Sequence, residues 1–167
     1  MNTSVTKKLA DGAIIAALYT LLTLLSSVFG LSIGPIQLRL SEALCILPCF
    51  TPAAIPGLFI GCLLGNLLSG ATIWDILFGS IATLIGAVGT YALRKKHFAA
   101  FFPPIAANTL IIPFILSYAY GLEEGIGYFF LSIGISEFLS AGLFGHFLRS
   151  FIRKRNLFRY SDYDRRT

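Results

Sequence analysis

A few polar residues are embedded in long apolar runs, and they are where this chain could do chemistry. Arg39 and Glu42 stand three residues apart in Ile36-Gln37-Leu38-Arg39-Leu40-Ser41-Glu42-Ala43, directly after Gly34-Pro35. One helical turn separates them, so they can neutralise each other as an ion pair or serve together as a ligand site. Glu137 has no such neighbour, because its own segment carries no basic residue before Arg149. It needs a partner from another helix, a proton, or a cationic or donor-rich ligand, and Ser136 and Ser140 flank its face. Asn66, Asp75 and Asn108 complete the set. An ionisable group inside a membrane is costly unless it is paired or lines a cavity, which makes these residues binding candidates. The two asparagines could equally be hydrogen-bond glue between helices. Trp74, Tyr118, Tyr120 and Tyr128 fall near the predicted outer interface as belt residues, and one of them at a cavity mouth could stack on a planar ligand.

Catalytic constellations are not found. The sequence has no phosphate-binding glycine loop with its lysine, no nucleophile elbow and no metal-binding helix pair. Its two histidines, His97 and His146, stand beside basic clusters, away from Glu42 and Glu137. The reading is that of a protein that is not an enzyme, calls for no cofactor or metal and does not hydrolyse ATP itself. Cys45, Cys49 and Cys62 are odd in number and lie in apolar stretches, so they read as small fillers and not as a disulfide framework or a zinc site.

The elements that must position these groups follow from composition. Hydrophobic residues make up 56% of the 167 and charged ones only 13%, too few to clothe a water-soluble domain. The chain is read as an all-α integral membrane protein, a single membrane domain over 1–167 with a short basic tail from about residue 153. At about 20 residues per span it has room for about six transmembrane helices. Breaks in the apolar pattern place them near Leu9–Phe29, Gln37–Phe50, Ala53–Leu68, Ile73–Leu93, Phe98–Ala119 and Gly125–Phe151. The second is short and should be tilted, capped by loop or shielded by its neighbours. The first follows Lys7-Lys8 as a signal peptide would, but its apolar run is too long and lacks a cleavage pattern, so it is read as a retained helix.

Lys7-Lys8, Arg94-Lys95-Lys96 and Arg149 with the tail are separated by four spans and then two, so all can lie on one side. The positive-inside rule makes that side the cytoplasm, with both termini inside and the protein multi-pass in a bacterial plasma membrane. The loops near Gly34, Ser69 and Glu123-Glu124 then face outward, and Arg39 is the one basic residue on the outer side. The basic and aromatic tail reads as an interfacial anchor. The net charge of +5 is confined to loops and tail, which argues against nucleic-acid binding.

Packing signals accompany the spans. Ala53, Gly57, Gly61, Gly65 and Ser69 recur every four residues, a smooth stripe that another helix must approach closely. Thr51-Pro52 fits a helix start. Pro103-Pro104 and Pro113 imply a late start or a kink in the fifth helix. Ala13 and Ala17 make a second smooth face near the cytoplasmic end of the first helix, for internal packing or for an external partner.

The stretch from Ile36 to Leu44, followed by Phe50-Thr51-Pro52-Ala53-Ala54-Ile55-Pro56-Gly57-Leu58-Phe59-Ile60-Gly61, resembles the QueT family of predicted queuosine-precursor transporters, the substrate-binding (S) components of energy-coupling factor uptake systems. The similarity covers nearly the whole chain. It implies a six-helix membrane protein with both termini inside. It also implies partners, a transmembrane coupling protein and two cytoplasmic ATPases, with Ala13 and Ala17 as the docking face. The implied ligand is queuine or a related deazaguanine base. Glu137 or Glu42 would read its guanine-like edge, Asn108, Asn66 or Gln37 would add contacts with Arg39 nearby, and an aromatic such as Trp74 would stack on the ring. The same architecture could instead take a flavin, a pterin or another heterocycle, and a self-contained carrier coupled to protons through Glu42 or Glu137 is the alternative from another class.

Overall fold

The computed structural model describes residues 3–31, 37–96, 98–121 and 125–155. They form six helical segments and, among the described residues, no strand. Helix α1 spans Thr3–Val28 and is followed by a 3₁₀ segment, Leu40–Cys49. Helices α2 (Ala54–Leu68), α3 (Asp75–Ala92), α4 (Ala99–Tyr118) and α5 (Ile126–Arg155) complete the bundle. Four of these helices, α1, α3, α4 and α5, are long and apolar enough to cross a bilayer on their own. The six segments coincide with the spans expected from the sequence. Large apolar side chains such as Leu21, Ile85, Leu110 and Leu131 project outward from them, as a hydrocarbon solvent requires.

The short second span is explained by its geometry. Ten residues of 3₁₀ helix rise about 20 Å, against about 15 Å for an α-helix of the same length. Ser41, Glu42, Leu44, Cys45, Ile46, Leu47, Pro48 and Cys49 are all buried, so the neighbouring helices shield this segment from lipid.

Two glycine-mediated seams fix the scaffold. The stripe on α2 faces α1: a Cβ on Gly57 would stand 2.7 Å from the Gly12 carbonyl, one on Gly61 2.7 Å from Tyr19 Cβ, and one on Gly65 2.9 Å from Thr23 Cβ. Such backbone proximity maximises dispersion where no hydrophobic effect drives helices together. The Thr20 hydroxyl crosses the seam to donate to the Gly61 carbonyl at 3.2 Å. At the second seam, a Cβ on Gly86 would lie 2.7 Å from Pro104 Cα and one on Gly89 2.5 Å from Pro103 Cβ. The two prolines occupy the first turn of the α-helical part of α4, Phe102–Tyr118, which follows a 3₁₀ turn over Ala99–Phe101, where a missing N–H is no loss. The late start is therefore their effect, and Pro113 is carried inside the helix. Before α2, the Thr51 hydroxyl accepts from the Ala53 N–H at 3.3 Å.

Basic residues gather at one end. Arg94, Arg149 and Arg153 all act electrostatically on Cys49, and Arg149 lies over the Phe101 ring at 5.8 Å. The beginning of α1 reaches the same end, since Gly12 meets Ala53 and Gly57. The opposite end is formed by Leu31, Ser69-Gly70 and Tyr120, with the Leu38 N–H donating to the Leu31 carbonyl at 2.8 Å. Gly34, His97, Glu123-Glu124 and residues 156–167 of the tail lie outside the described residues.

Candidate functional site

The bundle interior holds two polar clusters, both organised by the 3₁₀ segment. The first surrounds Arg39. Its Nη2 donates to Asp75 Oδ2 at 3.0 Å, to Asp75 Oδ1 at 3.3 Å and to Gln37 Oε1 at 3.1 Å. Tyr120 adds its hydroxyl to Asp75 Oδ2 at 3.4 Å, and Asn66 Nδ2 donates to the Asp75 backbone carbonyl at 3.2 Å. Arg39 thus pairs with Asp75 of α3, and of the two alternatives open for Arg39 and Glu42 the ion pair between them is not the one formed. The cause is local. Arg39 has extended backbone angles, φ −98° and ψ 105°, so it stands before the helical row in which a neighbour three residues on would face it. On the other side, α3 opens with a π turn over Asp75–Gly79. A side chain at Gly79 would meet Asp75 Oδ1 at 3.1 Å and Asn66 Nδ2 at 3.2 Å, so glycine leaves the room this network occupies.

The second cluster surrounds Glu42, of which 1% is exposed. Tyr19 of α1 donates its hydroxyl to Oε1. Oε2 accepts from the Cys45 thiol at 3.0 Å and from Asn108 Nδ2 of α4 at 3.3 Å. Cys45 reaches it because residues three apart eclipse one another on a 3₁₀ helix. Both carboxylate oxygens are therefore held by uncharged donors from α1, α4 and the segment itself.

Glu137 faces this cluster from α5. It interacts electrostatically with Glu42 and with Arg39, and with the Asn108 amide, and it sits where the helix widens into a π turn over Phe138–Phe144, a feature that recurs at functional sites. Only 5% of Glu137 is exposed, and its Oε2 is buried with no hydrogen-bond partner among the described residues. The hydroxyl oxygens of Ser140 and Thr109 are in the same condition. Ser136 and Ser140 are buried on the same helix face. A buried polar atom ordinarily finds a partner, and one that lacks it is the exception that needs explaining.

The residues singled out from the sequence thus divide. Arg39, Gln37 and Asn66 belong to the first cluster, while Glu42, Glu137 and Asn108 belong to the second. Trp74 joins neither. It is 53% exposed, stacks on Phe78 with ring centroids 6.0 Å apart, and lines an apolar groove of about 620 Å³ with Leu110, Phe114 and Tyr118 on the outside of α3 and α4. Ala13 and Ala17 are exposed on α1, whereas Gly12 and Ala16 face α2, so the alanine pair does not serve internal packing.

Sequence reasoning missed Tyr19, the donor to Glu42. A lone tyrosine far from either predicted interface was the available signal. It also undervalued two thiols. Cys45 is a donor to Glu42, and Cys62 Sγ accepts from Thr83 at 3.3 Å and Asn66 at 3.5 Å, so neither is merely a filler. Among the described residues no group of histidine, cysteine and carboxylate side chains is placed to hold a metal.

Apolar helices closed around a buried, acceptor-rich cluster define a multi-pass membrane protein. The sequence pattern of the QueT transporter family matches residues 9–154, and the chain belongs to that family, whose members are transporters and not enzymes. A protein named queuosine precursor transporter QueT, from Lactococcus lactis subsp. cremoris, is 38% identical over 85 residues, which is 51% of this chain and 50% of that protein. The match therefore spans about half the length of that relative. No solved structure matches the chain.

Proposed function

We propose that the chain is the S component of an energy-coupling factor importer, capturing a queuosine precursor, queuine or a related deazaguanine base, from outside the cell. The observation that carries this reading is the partnerless Oε2 of Glu137 beside Asn108 and the saturated Glu42. A deazaguanine edge offers a ring N–H and an exocyclic amine, two donors that a carboxylate accepts as charge-assisted hydrogen bonds. Glu137 takes that edge. Glu42, fixed by Tyr19 and Cys45, orients Asn108 toward it. Arg39, Gln37, Asn66 and Asp75 hold the first turn of α3 against the 3₁₀ segment and so shape the site from the side. The name of the Lactococcus relative supports this substrate.

In this reading both termini are cytoplasmic, and a transmembrane coupling protein with two cytoplasmic ATPases supplies the energy. The exposed face of α1 at Ala13 and Ala17 docks the coupling protein. The test is to extract the protein gently, identify the co-purified small molecule by mass spectrometry, and titrate queuine into wild type, Glu42→Gln and Glu137→Gln. Unchanged affinity in both variants would overturn the assignment, and a co-purified flavin or pterin would redirect it. The two buried carboxylates also favour one second reading, a proton-coupled carrier. Uptake into vesicles that lack ATPases, abolished by collapsing the proton gradient, would establish that reading in place of the first.

A further inference from the structure

Cys62 is wholly buried on α2, and it stands where the two polar clusters meet. Asn66, one turn further along the same helix, donates from its amide to Cys62 Sγ at 3.5 Å and to the Asp75 backbone carbonyl at 3.2 Å. Thr83 of α3 reaches the same sulfur at 3.3 Å. On its other side the thiol contacts the Tyr19 hydroxyl of α1, and both Arg39 and Glu42 act on it electrostatically. A cysteine that only filled space would need none of these polar neighbours.

The partners assign the protons. A tyrosine hydroxyl carries a single proton, and that of Tyr19 goes to Glu42 Oε1. Toward Cys62 the Tyr19 oxygen is left to accept, so the thiol is the donor. From Asn66 and Thr83 the sulfur accepts. The bonds therefore run in one direction, from the Asn66 amide through the Cys62 thiol and the Tyr19 hydroxyl to Glu42, and each member of such a chain polarises the next.

We infer that Cys62 is a positioning residue for the ligand site, whose thiol proton holds the Tyr19 hydroxyl on Glu42 and joins the Arg39 cluster to the carboxylates. It touches no ligand itself. Its effect on binding rests on the deazaguanine reading above, because it acts through Tyr19 and Glu42 on Asn108, which faces Glu137.

Two measurements test this. The first needs no ligand: the infrared S–H stretching band of Cys62, assigned by its loss in Cys62→Ala, is expected to move to higher frequency in Tyr19→Phe, where the thiol has lost its acceptor. The second is calorimetry with queuine on the purified full chain. Cys62→Ala should weaken binding about three- to fivefold, the effect of one modest neutral hydrogen bond, while Cys62→Ser keeps an O–H donor and should stay within about twofold of wild type. In the Tyr19→Phe background Cys62→Ala should cost no further affinity, whereas a residue that only packed would add its full effect there. A band indifferent to Tyr19→Phe, or full additivity of the two substitutions, would overturn the positioning role. If Tyr19→Phe does not fold, equal affinities of Cys62→Ala and Cys62→Ser overturn it instead. Failure of the wild type to bind queuine would overturn the deazaguanine reading, and the S–H band would still decide the link from Cys62 to Tyr19.

Discussion

The two polar clusters on the 3₁₀ segment are a natural experiment in burying charge. Both lie within the bundle, both are almost entirely buried, and their anchor residues, Arg39 and Glu42, are three positions apart. One cluster is neutral and closed: arginine, aspartate, glutamine and tyrosine satisfy one another. The other contains two carboxylates, whose hydrogen-bond donors among the described residues are all uncharged, and one carboxylate oxygen with no hydrogen-bond partner among them. The difference teaches where to look for a ligand. A buried charge paired within the bundle has a structural task, and a buried oxygen without a partner marks the place where the proposed ligand is to be tested.

The strongest way to break this contrast is to open the closed cluster. Arg39→Met leaves Asp75 buried without its cation, and the loss should be about 3–5 kcal/mol, read as a lower unfolding midpoint in detergent. Arg39→Met with Asp75→Leu should recover most of it. If the single variant is as stable as wild type, the closed cluster is not structural. Next in size is Gly61→Val, whose side chain would enter the seam where Tyr19 Cβ stands 2.7 Å from the position of a Cβ. Overpacking of this kind costs about 1–3 kcal/mol, and it should weaken ligand binding too, because Tyr19 holds Glu42. Tyr19→Phe removes the hydroxyl that donates to Glu42 and also contacts the Cys62 thiol, for about 1–2 kcal/mol. A thermal scan with and without ligand would show whether the deficit is smaller when the site is filled. Glu137→Gln sharpens the comparison from the other side: it should cost little stability, or none, while weakening deazaguanine binding by about tenfold or more. The smallest effect belongs to Trp74→Leu, which should leave affinity unchanged within error, since Trp74 lines only the outer groove.

The fold was legible in the sequence because membrane helices announce themselves by length and apolarity, and the four-residue spacing of Gly57, Gly61 and Gly65 announced the seam they form. Glu137 was legible for a related reason, as a carboxylate with no basic residue in reach along its own helix. The partner of Arg39 was not. Sequence neighbours favoured Glu42, and nothing local reveals that Arg39 is extended or that Asp75 arrives from thirty-six residues away. Tyr19 escaped for the same reason, because its bond to Glu42 spans twenty-three residues and depends on how closely α1 approaches. Trp74 differs in the other direction: its type suits stacking on a ring, and the turn that aims Asp75 inward leaves its neighbour on the outer face.

The seam between α1 and α2 has a mechanical consequence. With Gly12 against Gly57 and Tyr19 Cβ over Gly61, no compressible layer of side chains separates the two backbones. Ala17 on the outer face of α1 and Tyr19 on the inner face are about 3 Å apart along the axis, so they belong to one stiff rod. A displacement of the exposed side of that rod carries the Tyr19 hydroxyl with it, and so acts on the hydrogen bond that holds Glu42 in the interior of the bundle.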